Sequence, residues 1–227
     1  MGAILFEDKA PETKGSDVYH RIIPDAESYI KAQAREVLAT LYNSPDDSIP
    51  TVNKIHYTLE DIEGVSAKGG GNGDVTIFYS TRHIEKSFAK NDTAKLFFET
   101  RGVLLHELTH AYQLEPQGIG SYGTNRVFWA FIEGMADAVR VANGGFDGPN
   151  ARPKVGTIWT VIVRPVISLS GCVITKTLNS CVSSIRSTLE VVPWSFDGAI
   201  KHILGNEYNI DELWHEYQVA VGDVQAQ

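Results

Sequence analysis

Two cysteines in 227 residues, Cys172 and Cys181, are too few for a disulfide framework. The fold must stand on an apolar core, and with 43% apolar positions at this length it can. Cations are also scarce: 20 Lys and Arg against 28 Asp and Glu give a net charge of −8. No basic run of the kind that binds nucleic acid occurs, so neither a nucleic-acid partner nor an anionic membrane surface is expected. Long apolar runs are missing as well. The best candidate, residues 155–173, is broken by Arg164, Pro165 and several polar residues, so no membrane span is expected. Gly and Pro, at 20 and 9, do not dominate, which excludes fibrous and disordered classes. A secretory leader would show a basic stretch and then an apolar one, and residues 1–8 have neither. From the residues alone, either the protein is intracellular or a leader has been removed. The sequon Asn91-Asp92-Thr93 is compatible with secretion.

Residues 1–16 are polar without a clear period and read as a loose arm. Residues 17–227 read as one domain, an α/β part to about residue 114 and a helical part after it. Tyr29, Ile30, Ala34, Val37, Leu38 and Leu41 form an apolar stripe that predicts a helix over Pro24–Tyr42, with Pro24 in its first turn. Val52–Leu59 and Val75–Ser80 alternate as strands. The glycine-rich run Gly69–Asp74 between them reads as a flexible hairpin turn. It lacks the Lys-Ser/Thr ending and following helix of a phosphate loop. Helices are predicted over Thr93–Leu114, where Gly102 is a weak point, and over Phe128–Ala142. Shorter ones follow at Gly198–Leu204 and Ile210–Val221. Strands come early and helices late. That order implies an α+β fold with segregated elements, not an alternating parallel sheet.

The chemistry sits in Leu105-His106-Glu107-Leu108-Thr109-His110, an HExxH run inside the strongest helix. At i and i+4, His106 and His110 share a helical face and can present imidazoles to one Zn²⁺, leaving room for a third ligand and a water. Glu107 can take a proton from that water, whose pKa the metal lowers to about 7. The bland alternative is two surface histidines on an amphipathic helix, which the flanking Leu104, Leu105 and Leu108 disfavour. A third ligand should lie downstream. Glu133 and Asp137 are again i and i+4, on a helix whose face is otherwise apolar, so burial would demand a cation or hydrogen bonds. Glu133 as ligand and Asp137 as partner of a ligand histidine is one assignment. The reverse remains open, as does an exposed face paired with Arg140.

The run His106-Glu107-Leu108-Thr109-His110-Ala111-Tyr112-Gln113, followed by Glu133-Gly134-Met135-Ala136-Asp137-Ala138-Val139-Arg140, resembles the plant basic secretory protein family of zincin-type metallopeptidases, which also occurs in fungi and bacteria. Residues Ile77–Ile84 resemble that family's strand before the active-site helix, and Leu213-Trp214-His215-Glu216-Tyr217 its C-terminal helix. The resemblance covers about residues 18–155 and 195–221. It implies a zincin-like α+β fold, a small twisted sheet with an active-site helix and a helical C-terminal lobe, and Val75–Ser80 as the edge strand along the cleft. It also implies one zinc ion held by His106, His110 and Glu133, with Glu107 as general base and Asp137 behind a histidine or as alternate ligand. A zinc endopeptidase acting on peptides or proteins is expected, as a monomer, and secretion by resemblance. The acidic pI of about 5.3 departs from the family name. Tyr112 and Tyr122 are oxyanion-donor candidates by side-chain type, with core packing favoured for Tyr112. His56 and His83 are left outside the site. The alternative function is a non-catalytic zincin-fold defence protein that binds peptide or glycan surfaces, against which the intact Glu107 argues.

Residues 157–189 depart from the family pattern. The β-branched run Ile158–Ser168 with Pro165 opposes an uninterrupted helix. Reading one base out of frame from Trp159, the genetic code permits Asp-Ser-Tyr-Arg-Pro-Thr-Gly-Tyr-Phe, close to the segment expected there. A frameshifted or mis-spliced stretch within 159–187 is the expectation, with accidental cysteines and a poorly packed lobe. A transcript read across the region tests it, and an uninterrupted frame shared with close relatives contradicts it.

Overall fold

In the computed structural model, residues 2–145, 180–220, 222, 224 and 225 are described. The elements run β1 (Ala3–Asp8), α1 (Lys14–Ile22), α2 (Ala26–Leu41), β2 (Lys54–Glu60), β3 (Ser66–Gly71), β4 (Asp74–Ser80), α3 (Thr81–Ser87), α4 (Thr93–Tyr112), α5 (Arg126–Ala142), α6 (Ser180–Glu190), α7 (Phe196–Leu204) and α8 (Ile210–Ala220). The result is α+β: a mixed four-stranded sheet in the order β1-β2-β4-β3, with eight helices among the described residues.

The sheet's core face follows from the period of two. Ile55, Tyr57 and Leu59 of β2 lie in register with Val75, Ile77 and Tyr79 of β4, and all six are buried. Tyr19 of α1 stacks on this face, its ring 5.8 Å from Phe6 and 6.4 Å from Tyr57. The N-terminus is therefore not a loose arm. Residues 3–8 form β1, parallel to β2 with Ile4 opposite Ile55 and Phe6 opposite Tyr57. Asp8 ties the strand's end to α1, accepting from the Ser16 hydroxyl and bonding His20 Nε2 at 2.9 Å. The alternation of Ile4 and Phe6 was short, and two acids at its end disguised it.

The sheet is mixed: β1, β2 and β4 run parallel, and β3 is antiparallel to β4. α1 and α2 intervene between β1 and β2 and supply the crossover that parallel strands require. β4 pairs with β2 on one side and β3 on the other, so it is an inner strand. The expected edge along the cleft is instead β3. Gly69–Gly71 belong to that strand, and only Asn72-Gly73 make the turn, at φ 54° and 82°. Positive φ at both positions is what a tight two-residue hairpin needs. β4 ends at Ser80, whose hydroxyl caps α3 by accepting from His83 N–H, so the strand does not continue to Ile84. Pro24 precedes the cap of α2, which is Asp25, rather than sitting in the first turn.

α4 carries the HExxH run and packs against α2, α3, α5 and β3. Leu96, Leu104, Leu105 and Leu108 are essentially inaccessible. α6 packs on α2, α5 and α7, and its Ile185, Ser187 and Thr188 are fully buried. Cys172, residues 157–179 and the start of the suspected frame change lie outside the described residues. No helix among the described residues is long and apolar enough to cross a membrane.

Gly102 is a contact, not only a weak point. A Cβ there would lie 2.2 Å from the Gly145 carbonyl oxygen and 2.5 Å from Arg140 Nε, where the chain leaving α5 crosses α4. Helix propensity alone would make Gly102→Ala stabilising by about 1 kcal/mol. Overpacking of this kind costs about 1–3 kcal/mol, so the clash decides the sign. Gly102→Ala is expected to lower the denaturant midpoint, and a rise would contradict this packing.

Candidate metal centre

One turn of α4 and one turn of α5 face each other across the cleft. His106 and His110, four residues apart, present their Nε2 atoms to the same point, 3.1 Å from each other. Glu133 reaches in from α5, with Oε2 3.3 Å from His106 Nε2 and Oε1 3.7 Å from His110 Nε2. Asp137, one turn further on, does not join that point. It bonds the other side of the first ring, Oδ1 to His106 Nδ1 at 2.9 Å. The two carboxylates left open by sequence spacing are thus separated by geometry. Their face is not an exposed one: both side chains are under a fifth exposed. Arg140 bonds Glu99 and the Gly145 carbonyl.

Three further groups complete the surroundings. The Tyr122 hydroxyl donates to Glu133 Oε1 at 2.7 Å from the loop between α4 and α5. Tyr122 had been named only by side-chain type. Tyr112, the other tyrosine named, is buried beside Tyr42, whose hydroxyl donates to the Tyr112 carbonyl. Gln113, directly after α4, sets its Nε2 2.9 Å from His110 Nδ1. The third group is β3, an edge strand of the sheet among the described residues. Glu107 is buried with its carboxyl facing the Ser66 hydroxyl and the Lys68 backbone N–H. Tyr122 and Gln113 carry no sequence period that marks them, since each acts from outside a helix. His83 bonds Glu99, and His56 pairs with Glu7, so neither reaches the cleft.

The cleft has a volume of about 580 Å³ and runs between β3, α4, α5 and the Tyr122 loop. Its electrostatics favour a cation at the centre. Burial disfavours the His106 cation, but the bonds to Asp137 and Glu133 outweigh it and push the pKa up to about 9. Burial and the neighbouring His106 charge pull His110 down to about 4. Burial would raise Glu133, yet the bond from His106, the charge of His110 and the Tyr122 hydroxyl hold it at about 2. Burial raises Glu107. The surrounding acids thus favour positive charge on His106, while burial and that charge disfavour it on His110.

His106, His110 and Glu133 each bring one ligand atom within 4.8 Å of the others and could hold a metal ion. The donor set fits a divalent metal of the borderline kind, and a metal there would take the place of the His106 proton. The Gln113 Oε1 atom is buried and has no hydrogen-bond partner among the described residues. It would find one if the amide turned over and accepted a proton from His110 Nδ1, the form in which Nε2 can bind metal. That orphaned atom fits the same group.

The His106 shift has a consequence for the metal-free protein. A histidine whose pKa is raised on folding, from 6.5 to about 9, contributes stability that is fully present below pH 6.5 and lost as pH rises through 9. The melting temperature of metal-free protein is expected to fall between about pH 6.5 and 9. Asp137→Asn, which removes a bond that raises the pKa, should flatten that fall. An unchanged slope in Asp137→Asn would contradict this picture of the site.

A family model described as a peptidase of plants and bacteria, the BSP family, matches residues 2–217. No curated protein and no solved structure matches the chain. The matched range takes in β1, the whole sheet, both site helices and most of α8. On that extent of match, the chain belongs to the BSP family of peptidases of plants and bacteria.

Proposed function

We propose that this chain is a zinc-dependent peptidase, with His106, His110 and Glu133 as the metal ligands and Glu107 as the general base. The observation that carries the reading is the convergence of both Nε2 atoms and the Glu133 carboxylate on one point, with Asp137 behind His106. Two imidazoles and one carboxylate suit zinc with a position left open for water. When bound, zinc would supply a Lewis acid and a water acidified toward neutral pH.

The rest of the chemistry belongs to this chain's own residues. Glu107 sits one residue from His106, and burial holds its pKa above the ordinary carboxyl value. A raised pKa makes it a competent base that can take a proton from water and return it to the leaving amide nitrogen. Asp137 accepts the Nδ1 proton of His106 and so directs Nε2 into the site. Tyr122 is half exposed, and its one hydroxyl proton goes to Glu133, so its role here is to hold that carboxylate in place. Among the described residues β3 is an edge strand along the cleft, and an extended peptide can add to such an edge through backbone hydrogen bonds. Such recognition reads the backbone more than the side chains and suits an endopeptidase of broad tolerance.

The ligand set and the base are tested by three variants. Glu107→Gln is expected to keep wild-type zinc affinity and lose about 100-fold or more in kcat on a peptide substrate. Glu133→Ala should fail to retain zinc through dialysis. Asp137→Ala should retain it at an affinity about 10–100-fold weaker. Loss of zinc in Asp137→Ala with retention in Glu133→Ala would exchange the two roles. Peptide cleavage by Glu107→Gln at the wild-type rate would remove the base from the mechanism.

A further inference from the structure

Each ligand imidazole has two ring nitrogens, and a metal takes only the one that presents a lone pair. For His106 the choice is settled by Asp137. A carboxylate accepts but never donates, so Nδ1 must carry the proton and Nε2 faces inward. The corresponding partner of His110 is Gln113, whose amide can do either. Its Nε2 lies 2.9 Å from His110 Nδ1, while its Oε1 is buried without a partner among the described residues. In that orientation the amide donates to Nδ1 and places the ring proton on Nε2. This is the nitrogen 3.1 Å from His106 Nε2, and with a proton there His110 cannot ligate.

The two ends of a primary amide are nearly identical in shape, so a half-turn exchanges them within the same space. After that turn, Oε1 accepts the Nδ1 proton of His110, the orphaned oxygen gains a partner, and a lone pair on His110 Nε2 faces Glu133. The backbone of Gln113 is already fixed for this. Its N–H donates to the Thr109 carbonyl at 2.8 Å as the cap of α4, and the residue is only 8% exposed. The side chain therefore has little freedom except the amide turn.

We propose that Gln113 is a positioning residue that selects the metal-binding tautomer of His110 by accepting its Nδ1 proton through Oε1. It does for His110 what Asp137 does for His106, but as a neutral group, so it adds no second buried negative charge behind the ligands. The inference rests on the reading of this cleft as a zinc site.

The test is zinc affinity, measured against a competing chelator on the full chain, for wild type, Gln113→Met and Gln113→Glu. Met preserves length and volume and removes the oxygen acceptor. Glu preserves an acceptor. Gln113→Met is expected to bind zinc about 10–100-fold more weakly than wild type, and Gln113→Glu at least as tightly as wild type. A purely packing role would give the opposite order, with Met tolerated and Glu harmful, and would overturn the proposal. Should Gln113→Met fail to fold, the ¹H–¹⁵N spectrum of zinc-loaded wild type decides the matter. A protected proton on His110 Nδ1 is expected there, and an Nδ1 without one would overturn the inference. Wild type that binds no zinc would remove the proposed function and this inference with it. Wild type that binds zinc, beside an unaffected Gln113→Met, removes the inference alone.

Discussion

The contact between α4 and α5 constrains everything else at the site. It holds two carboxylates and two imidazoles largely out of water, and buried charge is tolerated only where partners offset its desolvation. Asp137 has His106, Glu133 has both histidines and Tyr122, and His110 has Gln113. Gly102 marks how close that contact is: even one methyl on α4 would strike the chain leaving α5.

The sheet serves this contact from the other side. Its inner strands, β2 and β4, supply buried surface, and β3 is left as an edge against α4. Glu107, adjacent in sequence to His106, turns its carboxyl to that edge. The HExxH spacing thus divides labour by direction. Positions i and i+4 look toward α5, and the residue between them, rotated by about 100° on the helix, looks toward the strand.

Much of this was legible in the residues. Two histidines at i, i+4 on an apolar helix, and two carboxylates at i, i+4 on another, leave few soluble arrangements other than facing each other. Spacing could not rank Glu133 against Asp137, because both occupy one face, and only the offset between the helices brings one to Nε2 and the other to Nδ1. Strand order was not legible either. Gly69–Gly71 have no side chains to show a period, so a strand was read as a turn and β4 was placed at the edge. β1 was lost because six residues ending in two acids carry too little pattern. Gln113 was visible in the motif, but its chemistry depends on a buried oxygen that no sequence displays.

The most direct measurement is the zinc content of the purified wild-type chain by elemental analysis, before and after dialysis against a chelator. The account predicts close to one zinc per chain, removed by the chelator together with peptidase activity and restored with it. A folded chain that takes up no zinc even when zinc is supplied would contradict it.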